Sequence, residues 1–139
     1  MRRLLAWAPA VAWAGLIFWF SAQPNLRFAS QESLDFVIRK SGHMFVFGVL
    51  AVLLWNALMT GGVRRARQWA WVFAVLYAAS DEFHQGFTAG RHPSPIDVGI
   101  DAVGAFVGLT ALSLALMVAR ERGRRRALLS PAARPRPRP

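Results

Sequence analysis

The sequence predicts an all-α membrane protein with four transmembrane helices and a candidate interfacial helix on the outer side. Its hydrophobic share of 55% lies only slightly above the ~45–50% of globular chains, but the charges collect in short islands between long apolar runs. Each run approaches the ~17–25 residues that a spanning helix needs. Most tryptophans stand near the ends of these runs, as in the aromatic belts of membrane proteins.

The four predicted spans follow one another at short intervals along the chain. The third is the weakest by hydropathy because Asp81, Glu82 and His84 stand in its last third. The spans are residues 4–22, 43–59, 69–87 and 96–119.

The first span and the segment after it each allow a second interpretation. Arg2 and Arg3 resemble the basic start of a secretion signal, but Phe20 fits poorly three residues before a cut after Ala22. We therefore interpret the first segment as a retained span. The helix-like stretch 33–39 in the following outer segment is the candidate interfacial helix.

Basic residues determine the predicted orientation. Of the 17 Lys and Arg residues, those of the N-terminus, of the loop between the second and third spans and of the tail share one side. Only Arg27, Arg39, Lys40 and Arg91 fall on the other side. The positive-inside rule therefore places both termini in the cytoplasm.

The net charge of +10 indicates an anionic partner. Because the basic residues flank apolar runs and form no contiguous soluble face, we expect that partner to be membrane lipid and not nucleic acid. The predicted domains are the four-helix domain 1–119 and a disordered Arg/Pro-rich cytoplasmic tail, 120–139, whose simplest role is to anchor the topology. The chain has no cysteine, which excludes disulfides.

The predicted topology brings the polar residues of the spans to one depth near the outer face. Charged groups at membrane depth cost roughly 2.5–3.5 kcal/mol on insertion scales, so they usually serve function. Helical spacing places Asp101 on one stripe with Gly104 and Gly108, which let another helix approach closely. The converging residues are Lys40, His43, Asp81, Glu82, His84, Gln85, Arg91, Asp97 and Asp101.

Each polar residue also has an ordinary structural explanation. His43 and His84 can simply hydrogen-bond a carboxylate, and Asp97 can stabilise a helix N-terminus. Arg91 can pair with Glu82 or Asp97. These explanations do not account for so many ionisable groups in one layer, which favours a functional site.

The same residues resemble the VanZ-like family of small bacterial membrane proteins, over roughly residues 18–109. The resemblance rests on residues 38–43 and 80–85, on Gly90 and Arg91, and on Asp97 and Asp101 with the following glycines. The family's namesake gives low-level resistance to the glycopeptide teicoplanin. The resemblance therefore implies a multi-pass protein of the bacterial cytoplasmic membrane that is associated with the cell envelope.

The resemblance also assigns positions within the site. The family's Lys-x-x-His element falls on Lys40 and His43, and its acid-x-x-Gln element on Glu82 and Gln85. Relatives commonly carry Asn at the position of Asp101, so an acid is not demanded there.

Two functions are compatible with this layer, and a third is less so. In the first, an outer-leaflet pocket binds an anionic lipid or a cell-wall-related group through Lys40, Gln85, Arg91 and Asp101. In the second, the chain is an enzyme, for example a metal-assisted hydrolase of a lipid-linked phosphate, with His43, Glu82, His84 and Asp97 as acid–base groups. A proton path would need polar groups throughout the spans, and the inner halves are largely apolar.

The sequence leaves enzymatic activity undecided and identifies no cofactor. Histidine and carboxylate side chains are suitable metal ligands, but no compact metal-binding signature is present, so we assign no metal ligands. Gly104 and Gly108 could serve a homo-oligomer as well as packing within the chain.

Overall fold

The computed structural model describes residues 1–23, 30–88, 91 and 93–129, and the elements in this part of the chain are α-helices. By compactness the chain divides into two units, Met1–Leu109 and Thr110–Pro139. The candidate site lies entirely in the first unit. The helices are α1 (Arg2–Leu5), α2 (Ala8–Ser21), α3 (Glu32–Thr60), α4 (Ala66–Gln85) and α5 (Pro95–Leu129).

Three helical segments are long and apolar enough to cross a membrane: Arg2–Ser21, Glu32–Thr60 and Pro95–Leu128. They contain the second and fourth predicted spans and all of the first except its last residue, Ala22. The third predicted span coincides largely with α4, whose C-terminal end carries Asp81 and Glu82 and which is not among the three. The fold is therefore that of a helical membrane protein, while the fourth crossing stays a prediction.

Two segments differ from the expectation. Residues 33–39, the candidate interfacial helix, form the first turns of α3, whose N-terminus carries Glu32 and Asp35 in favourable positions for the helix dipole. Residues 120–129, expected to be disordered, continue α5 as helix. This stretch consists mainly of Ala, Leu, Arg and Glu, which are good helix formers, so the basic charge alone was a poor indicator of disorder. The Arg–Pro alternation in residues 130–139 lies outside the described residues, as does Arg27.

Helix α4 packs through a stripe of alanines. Ala66, Ala70, Ala74 and Ala78 recur every four residues, and each is at most 6% exposed. Three of them share a buried cluster with Ala51 of α3 and other core residues. Small side chains allow close helix approach, which favours association where the hydrophobic effect between helices is weak.

Glycines bring α3 and α5 into contact. A Cβ atom added at Gly108 would lie 2.6 Å from the carbonyl oxygen of Gly48, and one at Gly104 would overlap the backbone of Met44. The predicted glycine stripe of α5 is therefore occupied by α3 of the same chain. This contact aligns the N-terminal half of α5 with α3.

Helix α2 is attached by two hydrogen bonds from aromatic side chains. The indole N–H of Trp13 donates to the carbonyl oxygen of Val46 in α3 at 2.9 Å. The hydroxyl of Tyr77 in α4 donates to the carbonyl oxygen of Ala14 at 2.6 Å. These bonds hold α2 beside α3 and α4, and a cavity lies along this junction.

Candidate functional site

Two ionisable pairs connect the N-terminal half of α3 to the start of α5. The ammonium group of Lys40 bonds the carboxylate of Asp97. About one turn further along each helix, Nδ1 of His43 lies 3.3 Å from Oδ1 and 3.4 Å from Oδ2 of Asp101. Both pairs follow from the glycine-mediated approach of α3 and α5, since Lys40 lies four and eight residues before the contact residues Met44 and Gly48 of α3, and Asp97 and Asp101 precede Gly104 on α5.

Glu82 contacts the segment that precedes α5. Its Oε1 accepts the backbone N–H of Ser94 at 2.6 Å, and the side chain is part of a residue only 5% exposed. The carbonyl oxygen of Ser94 in turn accepts the backbone N–H of Asp97 at 2.9 Å. Glu82 thus satisfies a backbone donor just before the helix, which is a structural use of its carboxylate.

A chain of hydrogen bonds joins Asp81 to Arg91 through Gln85. The amide nitrogen of Gln85 donates to Oδ2 of Asp81 at 2.9 Å, and its amide oxygen accepts from Arg91 at 3.0 Å. A second guanidinium nitrogen of Arg91 donates to the carbonyl oxygen of Gln23 at 3.4 Å. The side-chain amide of Gln85 therefore orients both the carboxylate of Asp81 and the guanidinium of Arg91.

Arg91 differs from the other cations of this region in its partners. Lys40 bonds Asp97, and Arg39 bonds Asp35 at 3.0 Å. Arg91 contacts only neutral oxygen acceptors within the described residues. Its positive charge is therefore the one in this layer that no described carboxylate compensates by direct contact.

A cavity of about 380 Å³ lies between α2 and α3 and reaches Arg91. We call it the α2–α3 cavity. Most of its lining is apolar, and its polar residues are Ser21, Arg39, His43, Asp81 and Arg91. The lining residues are Trp13, Leu16, Ile17, Phe20, Ser21, Ile38, Arg39, Gly42, His43, Val46, Asp81 and Arg91.

Two buried polar atoms of the cavity lining have no hydrogen-bond partner among the described residues. They are Oγ of Ser21 and Oδ1 of Asp81, whose residues are 5% and 3% exposed. Buried polar atoms without partners are costly, and they are frequently satisfied by water or a ligand. These two atoms mark the polar end of the cavity as a place where a bound group could be held.

The predicted site residues occupy different places around this cavity. His43 and Arg91 line it, whereas Lys40, Gln85, Asp97 and Asp101 are bonded to each other or to lining residues. Glu82 is directed to Ser94. The polar lining residues to which the sequence assigned no role are Ser21, Arg39 and Asp81, although Asp81 was expected in the polar layer.

His84 lies apart from the other candidates. Its ring stacks on Phe18 of α2, with 4.2 Å between centroids and 29° between planes. Its Nδ1 atom is buried and has no partner in the described parts of the chain. The described side chains therefore place His84 against α2 and not on the lining of the cavity.

Metal ligation requires several donor side chains to converge. Across residues 1–23, 30–88, 91 and 93–129, no group of three or more His, Asp or Glu side chains is arranged to hold a metal ion. Asp97, Asp101 and Glu82 instead contact Lys40, His43 and a backbone N–H respectively.

Comparison with protein families identifies a match. The profile of the VanZ/LLP1 family matches residues 6–117, which include α2, α3, α4 and the whole α2–α3 cavity. No curated protein and no solved structure matches the chain. Because the matched region covers most of the sequence, the chain belongs to the VanZ/LLP1 family.

Proposed function

We propose that this protein binds the anionic group of a lipid or of a lipid-linked cell-wall intermediate in the α2–α3 cavity. By doing so it contributes to low-level teicoplanin resistance at the cell envelope. The observation that carries the proposal is an apolar cavity that ends at Arg91, a cation with only neutral partners among the described residues.

The shape of the cavity favours an amphipathic ligand. Trp13, Leu16 and Ile17 of α2 face Ile38 and Val46 of α3 across it. Such a lining suits an acyl or prenyl chain, while Arg91 suits a phosphate because its planar guanidinium can donate two hydrogen bonds. An apolar chain with a charged end thus matches both parts of the cavity.

The use of the carboxylates favours binding over acid–base catalysis. Asp97 bonds Lys40, Asp101 contacts His43, and Glu82 accepts a backbone N–H. A general acid or base must reach the reacting atom in addition to its structural partners. Three of the four acids in this layer are engaged in holding α4 and α5 in place.

The distribution of basic residues supports an outer-leaflet position for the cavity. Arg64 and Arg65 lie in the loop between α3 and α4, and Arg67 lies in the first turn of α4, at the ends of these helices opposite to Lys40 and Asp81. By the positive-inside rule this loop is cytoplasmic, and the cavity faces the outer leaflet. Cell-wall intermediates and glycopeptides meet the membrane on that side.

Binding of a matched pair of probes tests the proposal. A short-chain prenyl phosphate and the corresponding prenyl alcohol share the apolar chain and differ in the anionic group. For the full-length protein in detergent we expect the phosphate to bind about tenfold or more tightly than the alcohol, because charge-assisted hydrogen bonds are strong. Arg91→Ala should remove this difference.

A control variant separates local recognition from general charge attraction. Arg122→Ala removes one exposed arginine of α5 that does not line the cavity. It should retain the preference for the phosphate. Equal binding of phosphate and alcohol by the unaltered protein, or equal loss in both variants, would overturn the proposal.

A second function is favoured by one observation, the contact of His43 with Asp101 at the cavity lining. An Asp that orients a His is the arrangement of a general base. In a hydrolase, His43 would take a proton from water and the water oxygen would attack phosphorus. The P–O bond of the ester would break, and the leaving oxygen would receive the proton from His43 and depart as an alcohol. Release of inorganic phosphate from the prenyl phosphate, lost in His43→Ala, would establish this activity over simple binding.

A further inference from the structure

The polar end of the α2–α3 cavity contains both a cation and an unsatisfied acceptor. Arg91 supplies the cation. Oδ1 of Asp81 is buried in a residue 3% exposed and has no hydrogen-bond partner among the described residues, while Oδ2 is bonded to Gln85. A ligand that offered only a phosphate would satisfy Arg91 and leave Asp81 Oδ1 without a donor.

The amide of Gln85 sets the spacing of the two groups. It donates to Asp81 and accepts from Arg91, so one amide and two hydrogen bonds separate the carboxylate from the guanidinium. Because Gln85 bonds Oδ2 of Asp81 and one guanidinium nitrogen of Arg91, these two atoms do not pair with each other. Positive and negative groups therefore stand side by side at the cavity without neutralising each other by contact.

We propose that the cavity selects a phosphoester whose head group carries a hydrogen-bond donor, a hydroxyl or an ammonium, beside the phosphate. Arg91 contacts the phosphate, and Asp81 Oδ1 accepts from the donor. The unsatisfied hydroxyl of Ser21, also on the lining, contacts the same head group. This inference rests on the proposed function and narrows its ligand class.

Selectivity between phospholipids of identical acyl chains tests the inference. Phosphatidylethanolamine and phosphatidylcholine have the same net charge, but only the first has N–H donors. Phosphatidylglycerol and phosphatidylmethanol likewise share one negative charge, and only the first has hydroxyl donors. With short-chain forms of all four and the full-length protein in detergent, we expect the donor-bearing lipid of at least one pair to bind about tenfold more tightly.

Asp81→Asn isolates the acceptor with little change in size. Its carbonyl oxygen can still accept from Gln85, which places its NH₂ group where Oδ1 of Asp81 stands. The preference for donor-bearing lipids should then disappear while lipid phosphate is still bound. Glu121→Gln is the matched control, since it converts an exposed acid of α5 outside the cavity and should keep the preference.

The outcomes distinguish this inference from the proposed function. Preference in the ethanolamine pair alone identifies ammonium as the donor, and preference in the glycerol pair alone identifies hydroxyl. Equal binding within both pairs, together with a retained preference for prenyl phosphate over prenyl alcohol, would overturn the inference and leave the proposed function standing. A preference that survives Asp81→Asn would also overturn it.

Discussion

Nδ1 of His43 lies 3.3 Å from Oδ1 of Asp101, which connects α3 to α5 at the lining of the α2–α3 cavity. Asp101 is 2% exposed, so its carboxylate depends on protein partners. The contact fixes the orientation of the His43 ring with respect to the cavity. The pair therefore links the stability of the helix crossing to the geometry of the site.

Removing this buried acceptor should destabilise the protein. We expect Asp101→Ala to lower the free energy of unfolding by about 1–3 kcal/mol, because it leaves the His43 nitrogen without its partner. Asp101→Asn should cost less, because an amide oxygen can still face the ring. Thermal unfolding of the purified variants in detergent measures both, and equal stability of all three proteins would contradict this account of the pair.

The Lys40–Asp97 pair should show measurable coupling because it is only partly exposed, at 26% and 21% of the side chains. Loss of either partner leaves an uncompensated charge near the cavity. We expect Lys40→Met and Asp97→Asn each to cost about 1–2 kcal/mol, between the values for exposed and buried pairs. The double variant should recover part of this loss.

A more exposed ion pair provides the comparison for this double-mutant cycle of Lys40 and Asp97. Arg125 and Glu121 lie 3.2 Å apart on α5, with side chains 75% and 53% exposed. Their coupling should be a few tenths of a kcal/mol at most, as for other exposed i, i+4 pairs. Coupling of the Lys40–Asp97 pair that is no larger than this would show that its partial burial has no energetic effect.

The sequence predicted that Lys40 and Asp97 lie at the same depth, because successive spans run in opposite directions and return the chain to the same membrane face. The sequence did not predict which base pairs with which acid, because pairing depends on the rotation of each helix about its axis. His84 was expected to converge with Asp81 and Gln85, its neighbours on α4, but its ring stacks on Phe18 of α2. Spacing describes one helix and contains no information on which neighbour covers each side of it.

The sequence predicted only part of the helix packing. The glycines at 104 and 108 indicated a close approach, and the structure supplies their partner, Gly48. The cavity could not be foreseen, because its volume depends on how α2 is held by Trp13 and Tyr77 through contacts more than thirty residues away in sequence.

The glycine contact between α3 and α5 predicts opposite effects for two similar substitutions. Gly104→Ala should destabilise the protein by about 1–3 kcal/mol, because the added methyl group would overlap the backbone of Met44. Gly99→Ala is the matched control on the same helix, since its Cβ would meet nothing within 4 Å. It should be neutral or stabilising by up to about 1 kcal/mol, since Ala is the better helix former. Unfolding of both variants in detergent gives the comparison, and equal effects would contradict the close crossing.

We expect resistance to depend on Arg91 and not on residues 130–139. In a susceptible bacterial host, we expect Arg91→Ala to abolish any increase in the teicoplanin inhibitory concentration, because the cavity loses its uncompensated cation. Arg91→Lys should restore it only in part, since an ammonium cannot reproduce the bonds to both Gln85 and Gln23. Deletion of residues 130–139 should leave resistance intact, because every residue of the cavity lining lies between Trp13 and Arg91. The amount of each variant in the membrane fraction must be measured alongside, so that a loss of resistance at normal abundance is attributed to the site. Full resistance with Arg91→Ala at normal abundance would disconnect the cavity from the phenotype.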